Sequence, residues 1–232
     1  MSDTRIVEIE CGPGGLAVKA YLVLGERPIL VDTGLPGSAD HILAKLACEG
    51  HVPRDVSLII LTHAHADHTG SVRELAQRTG APVAIHEADA DYLRQGTSAP
   101  MRGRSLIGRL LASVLGGARS RRSEPDLSYE PDIILHDSHS LESWGVDGRV
   151  EHTPGHTSGS TSVFVNGGDA IVGDLLSSAF MRKSTPAPGM FALDPAAMDE
   201  SIKGVLARGP RLTHACHCAP FTLAMLEAAF AV

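Results

Sequence analysis

Four metal-binding side chains, His63, His65, Asp67 and His68, crowd into six consecutive positions directly after the apolar run Ser57-Leu58-Ile59-Ile60-Leu61. That run has the length and β-branched content of a buried strand, so the histidines stand on a turn at a strand end. In an extended or tightly turning segment alternate side chains face the same way, and His63 and His65 can therefore hold one ion together. Asp67 and His68 point elsewhere and suit a second ion, since paired hydrolytic metals sit roughly 3.5–4 Å apart. Imidazoles combined with carboxylates favour zinc, although iron, manganese and cobalt accept the same donors. A lone histidine on such a turn would read as a solvated loop residue. Four ligand types within six positions argue for a metal site.

Two later stretches add to this one. Thr153-Pro154-Gly155-His156-Thr157-Ser158-Gly159-Ser160 is a stiff turn that presents His156, with hydroxyls beside it. Thr161 to Val165 reads as a strand, Asn166-Gly167-Gly168-Asp169 as a hairpin turn, and Ala170 to Gly173 as a strand delivering Asp174. A carboxylate at a strand end, backed by a glycine that permits close approach, is suited to bridge two cations. The stretch Leu212-Thr213-His214-Ala215-Cys216-His217-Cys218-Ala219-Pro220 offers a last donor, either His217 or His214.

His63-Ala-His65-Ala-Asp67-His68 resembles the HxHxDH signature of the metallo-β-lactamase superfamily. His156-Thr157-Ser158-Gly159-Ser160 after Gly155, and Gly173-Asp174, resemble its GHTxGS and GD motifs. The resemblance runs from about Ile6 to Pro220 and implies an α/β fold, the four-layer αβ/βα sandwich, as one domain over residues 1–232. It also implies that His63, His65 and His156 hold one metal, that Asp67, His68 and His217 hold another, and that Asp174 bridges them. The cofactor so implied is two zinc ions, with iron or manganese as alternatives. A hydroxide generated between the metals would attack an ester, thioester, lactone or related bond, with Asp67 moving the proton. Members of the family commonly end the last core strand in Gly-His-Gly. Here Cys216 and Cys218 flank His217, which narrows the space around the imidazole and leaves His214 or a thiolate as a substitute ligand; the cysteines are read first as packing residues.

The remaining chain supplies a scaffold. Strands are predicted at Ile6 to Glu10, Val18 to Leu24, Pro28 to Asp32, Pro82 to His86, Asp132 to Leu135 and Arg149 to His152. Helices are predicted at Ser38 to Glu49, Thr69 to Arg78, Glu87 to Arg94 and Pro195 to Ala207, and a loop bordering the cleft at Ser184 to Asp194. Asp32, at a strand end, is either a group that orients a ligand or a cap for the turn. His86 reads as a strand-end or cap residue, and His136 and His139 as surface residues.

Residues 96–131 break the rhythm. Between Arg102 and Arg122 stand six arginines and no acid, around an amphipathic pattern of Leu106, Ile107, Leu110, Leu111, Val114 and Leu115. The segment reads as an inserted basic helix: a solvated appendage, a lid that attracts an anionic or acyl small-molecule substrate, a homodimer contact or a membrane-surface helix.

Bulk properties narrow the partners. A formal net charge of −7 disfavours nucleic acid, which needs a basic face. No apolar run approaches the roughly eighteen residues of a membrane span, and Met1-Ser2-Asp3-Thr4-Arg5 lacks a signal peptide's pattern, so a cytoplasmic location without stable membrane insertion is expected. Asp174 disfavours the true β-lactamases that place a cysteine at the second metal. Only fifteen residues follow His217, short of the glutathione-binding helical region of hydroxyacylglutathione hydrolases. The rival enzyme is a persulfide dioxygenase with a single iron on the counterparts of His63, His156 and Asp174; a non-catalytic metal-binding protein is the third reading.

Overall fold

Along the buried strands neighbouring side chains take opposite faces, and this alternation sorts the core into layers. The structure, a computed structural model, describes residues 4–12, 18–104, 108, 127–179 and 182–230. One six-stranded sheet has the order β1 (Arg5–Glu10), β2 (Lys19–Leu24), β3 (Pro28–Val31), β4 (Leu58–Ile60), β5 (Val83–His86), β6 (Ile133–Leu135). Its first three strands form an antiparallel meander, while β3 to β6 run parallel. The second sheet contains β7 (Ser138–Ser140), β8 (Gly148–His152), β9 (Thr161–Val165), β10 (Asp169–Ile171), β13 (Leu212–His214) and β14 (Phe221–Thr222), adjacent in that order. Only the β10–β13 pairing in it is parallel.

Helices α1 (Ala39–Cys48), α2 (Ala66–Thr69), α3 (Val72–Thr79), α4 (Glu87–Gln95), α5 (Pro195–Ala207) and α6 (Leu223–Phe230) complete the described elements that position the site. On β2, Ala20, Leu22 and Leu24 pack with Ile42 and Leu46 of α1, Leu75 of α3 and Leu93 of α4. Tyr21 and Val23 face the other way, into a core between the sheets shared with Val163 and Ile171. On β10 the same parity sends Ala170 outward against Met198 and Ile202 of α5 and Leu226 of α6. Helices, sheet, sheet and helices therefore stack as a single-domain α/β sandwich. Each fully buried aliphatic side chain contributes on the order of 1.5–3 kcal/mol, so two-sided burial of both sheets makes the strands the rigid part from which loops can be hung.

The structure corrects two expectations and adds two elements. The predicted loop from Ser184 to Asp194 is in part a strand: β12 (Arg182–Pro188) pairs antiparallel with β11 (Leu176–Ala179), setting Leu176 opposite Pro188 and Ser178 opposite Pro186. Proline is accommodated because this two-stranded ribbon has open outer edges, and the ladder is irregular between Ser178 and Ala179. The polar stretch around His139 forms β7, held by β8 rather than by its own pattern. The predicted helix from Thr69 to Arg78 is split at Gly70 and Ser71. A Cβ on Gly70 would stand 2.4 Å from Pro36 N, and Gly70 N–H donates to Gly34 O at 2.9 Å, so the chain bends to receive that loop. Helix α6, after Phe221, was not anticipated. Most of the predicted basic helix lies outside the described residues. Among the described residues no helix is long and apolar enough to cross a membrane.

Candidate metal centre

The ends of β3, β4 and β10, the turn after β13 and the turn between β8 and β9 meet at one edge of the sandwich. There the described residues form two adjoining groups of donors: His63, His65 and His156, and His68, Asp174, Cys216 and His217.

In the first group His65 Nδ1 lies 3.0 Å from both His63 Nε2 and His156 Nε2. The outer nitrogens are already committed. His65 Nε2–H donates to Ala99 O and His156 Nδ1–H to Phe191 O, each at 3.0 Å. His63 Nδ1 is 3.1 Å from Thr62 Oγ1, whose own proton goes to Asp32 at 2.9 Å, so Nδ1 is the donor. These partners assign the tautomers. Three imidazole lone pairs are left facing one another, an arrangement that repels unless a cation sits among them. Burial holds the His65 pKa down at about 3 and His63 well below the usual histidine range, each helped by the neighbouring imidazoles, so both rings are neutral and ready to ligate.

In the second group His68 Nε2 and Asp174 Oδ1 are buried, find no hydrogen-bond partner among the described residues and stand 3.4 Å apart. Such orphaned atoms in a core point to a missing ligand. His217 Nε2 lies 3.2 Å from Asp174 Oδ2 and 3.5 Å from Asp67 Oδ2. Asp174 Oδ2 also lies 3.5 Å from His156 Nε2, so this carboxylate borders both groups. Burial opposes its ionisation, but His217 and His68 outweigh that and hold it well below the ordinary carboxylate range. Reciprocally, Asp174 pushes His217 up to about 10 against the effect of burial.

Asp32 is fully buried with φ of 61°, a left-handed conformation uncommon outside glycine. Its carboxylate accepts from His68 Nδ1–H at 2.8 Å and from Thr62 N–H at 2.8 Å. Both readings left open by the sequence therefore hold: Asp32 supports the turn and directs His68 Nε2 inward.

Asp89, in the first turn of α4, looks in the sequence like an ordinary acid at a helix start. It is fully buried and accepts from Ala64 N–H at 2.9 Å, Thr157 Oγ1 at 2.8 Å and Gly159 N–H at 2.9 Å. One carboxylate thus ties the turn of His63 and His65 to the turn of His156. Gly155 is required beside it: its φ is 136°, and a Cβ there would stand 2.3 Å from the Met198 backbone.

The start of the inserted segment also belongs to the site. Besides Ala99 O on His65, Ala99 N–H donates to Ala64 O at 2.8 Å and Ser98 Oγ accepts from Ala66 N–H at 3.2 Å. Farther on, Gly103 bridges Phe191, whose carbonyl holds His156. His214 is not part of the centre: its Nδ1 is 2.7 Å from Glu8 Oε1, in a buried group with Lys19. His86 caps α4 by accepting from Ala88 N–H and stacks on His152 with ring centroids 3.8 Å apart.

Fold and site together define a metal-binding protein of the αβ/βα sandwich class. The sequence profile described as the metallo-beta-lactamase superfamily matches residues 13–208. The chain belongs to that superfamily. It is 28% identical over 232 residues to the "Probable metallo-hydrolase YflN" of Bacillus subtilis, covering 91% of this chain and 85% of that one. To Rv2581c of Mycobacterium tuberculosis, an uncharacterized protein, it is 32% identical across 64% of this chain and 61% of the relative, so the match spans less than two thirds of that protein's length. Among solved structures, TTHA1623 in a di-iron-bound form superposes with a TM-score of 0.68 at 28% identity, covering 96% of both chains. The BLEG-1 B3 metallo-beta-lactamase, at 23% identity, TM-score 0.70 and 97% coverage of both chains, shares the fold.

Proposed function

We propose that this protein is a binuclear metal-dependent hydrolase acting on an ester, thioester, lactone or related bond of a small molecule. The observation that supports it is the position of Asp174, whose oxygens lie 3.5 Å from His156, 3.4 Å from His68 and 3.2 Å from His217. A carboxylate so shared suits two ions better than one. His63, His65 and His156 would hold the first, His68 and His217 the second, and Asp174 would bridge them. When bound, such a cation pair would lower the pKa of a shared water towards about 7 and would polarise the carbonyl oxygen of the substrate.

The chain's own groups do the rest. Asp67 stands outside both convergent donor groups with its side chain 30% exposed, 3.5 Å from His217 Nε2. In this reading it accepts a proton at Oδ2 and returns it to the leaving group. The segment from Ser98 to Arg104 borders the donors, and the arginines that follow favour an anionic or acyl substrate. Zinc is the first choice of metal, with iron next because a relative of 28% identity binds a di-iron pair.

Elemental analysis of protein expressed without metal supplementation, followed by a screen of lactones, thioesters and phosphodiesters, tests this. Two zinc, iron or manganese ions per chain with hydrolysis are expected. Asp67→Asn should retain the metals and lose turnover by about 100-fold or more. A single iron with oxygen consumption would overturn the hydrolase in favour of a persulfide oxygenase.

A further inference from the structure

Cys216 comes immediately before His217 in the turn that follows β13. Side chains of adjacent residues in a strand would diverge, but the turn brings both to the second donor group. Its thiol is fully buried, and Sγ lies within 4.8 Å of a donor atom of each of His68, Asp174 and His217. Two atoms in this group, His68 Nε2 and Asp174 Oδ1, have no hydrogen-bond partner among the described residues. Asp67, which the family resemblance assigns to this metal, lies with its Oδ2 3.5 Å from His217 Nε2.

We propose that Cys216 binds the second metal as a thiolate, joining His68, Asp174 and His217. This rests on the binuclear reading above. The surroundings suit the charged sulfur. Sγ accepts Lys19 N–H at 3.3 Å, a bond that a thiolate strengthens. The S–H contact to Lys19 O, at 3.4 Å, is the one given up. As the metal–sulfur bond forms, the thiol proton passes to solvent, so the ion gains one anionic donor and one proton is released per chain. A thiolate tilts the site towards zinc or iron and away from manganese.

Cys218, two residues on, packs against Val172, Phe221 and Leu226 on the helix side of the sheet and serves as the control. The test loads full-length protein with cobalt(II), counts the metal by elemental analysis and records the near-ultraviolet spectrum. A thiolate-to-cobalt charge-transfer band is expected with the second equivalent, present in Cys218→Ala and lost in Cys216→Ala. X-ray absorption on the unmodified zinc protein should find one sulfur at about 2.3 Å shared over two ions, and it decides the matter if Cys216→Ala does not fold. Two bound ions with no sulfur in either spectrum, or a band that survives Cys216→Ala, would overturn the thiolate while leaving the binuclear reading intact. Failure to bind a second ion would overturn both.

Discussion

Replacing Asp89 should loosen a metal site that it never touches. Its three accepted hydrogen bonds reach residues 25, 68 and 70 positions away, so they help to hold together two turns far apart in the sequence. Each hydrogen bond to a charged group is worth roughly 1.5–3 kcal/mol, and a buried donor left bare costs roughly 1–3. Burial, only partly offset by these donors, raises the Asp89 pKa, so the carboxylate carries a desolvation cost that an amide avoids. Asp89→Asn keeps one oxygen for Ala64 and Thr157 but turns an NH2 towards Gly159 N–H. We expect a net loss of about 1–2 kcal/mol. Asp89→Ala strands all three donors and should lose about 3–5 kcal/mol. His63 and His156 then share a metal across turns free to drift, and affinity at the first site should fall about tenfold in the Asn variant. Chelator competition read by a zinc-sensitive dye, alongside thermal melts of the metal-free protein, measures both effects. An Asn variant with unchanged affinity and unchanged melting would refute the idea that this carboxylate sets the distance between the turns.

Asp32→Asn fits the same left-handed backbone but cannot serve both His68 and Thr62 as acceptor, so second-site affinity should fall about 10–100-fold while the first site holds; stepwise metal titration separates the two. Gly155→Ala sets a methyl against the Met198 backbone, and a melting temperature within error of the parent would contradict that contact. Burial, reinforced by charge repulsion from the neighbouring His152, lowers the His86 pKa from 6.5 to about 4. Between those values the unfolded chain takes up a proton that the folded one refuses, so stability is full above pH 6.5 and declines as pH falls towards 4. His86→Asn, which can still cap α4, should flatten that part of the pH profile in urea melts.

Much of the centre could be read from the chain because its donors are packed into short local motifs. His63, His65, Asp67 and His68 share one turn, and His156 and Asp174 each sit on a glycine-marked turn next to a strand. The apolar runs of β2 and β4 likewise announced buried strands, since burial on both faces leaves a local record in composition. Helix α5 was legible for the same reason: Asp194 accepts from Ala196 and Ala197 N–H as its position before Pro195 implied. Other features leave no such record. The pairing of β11 with β12 and of β7 with β8 depends on a partner strand, not on apolar periodicity. Asp89, the carbonyls of Ala99 and Phe191, and Cys216 act through bonds that span 25 to nearly 200 residues. The sequence by itself determined which side chains could bind metal and that they stand at strand ends, because ligand type and strand burial are local properties. Only the tertiary structure decided which donors converge, which nitrogen each imidazole turns inward, and that Cys216 joins the second group while His214 leaves it. Those depend on distances between turns, and distances are set by how two sheets pack.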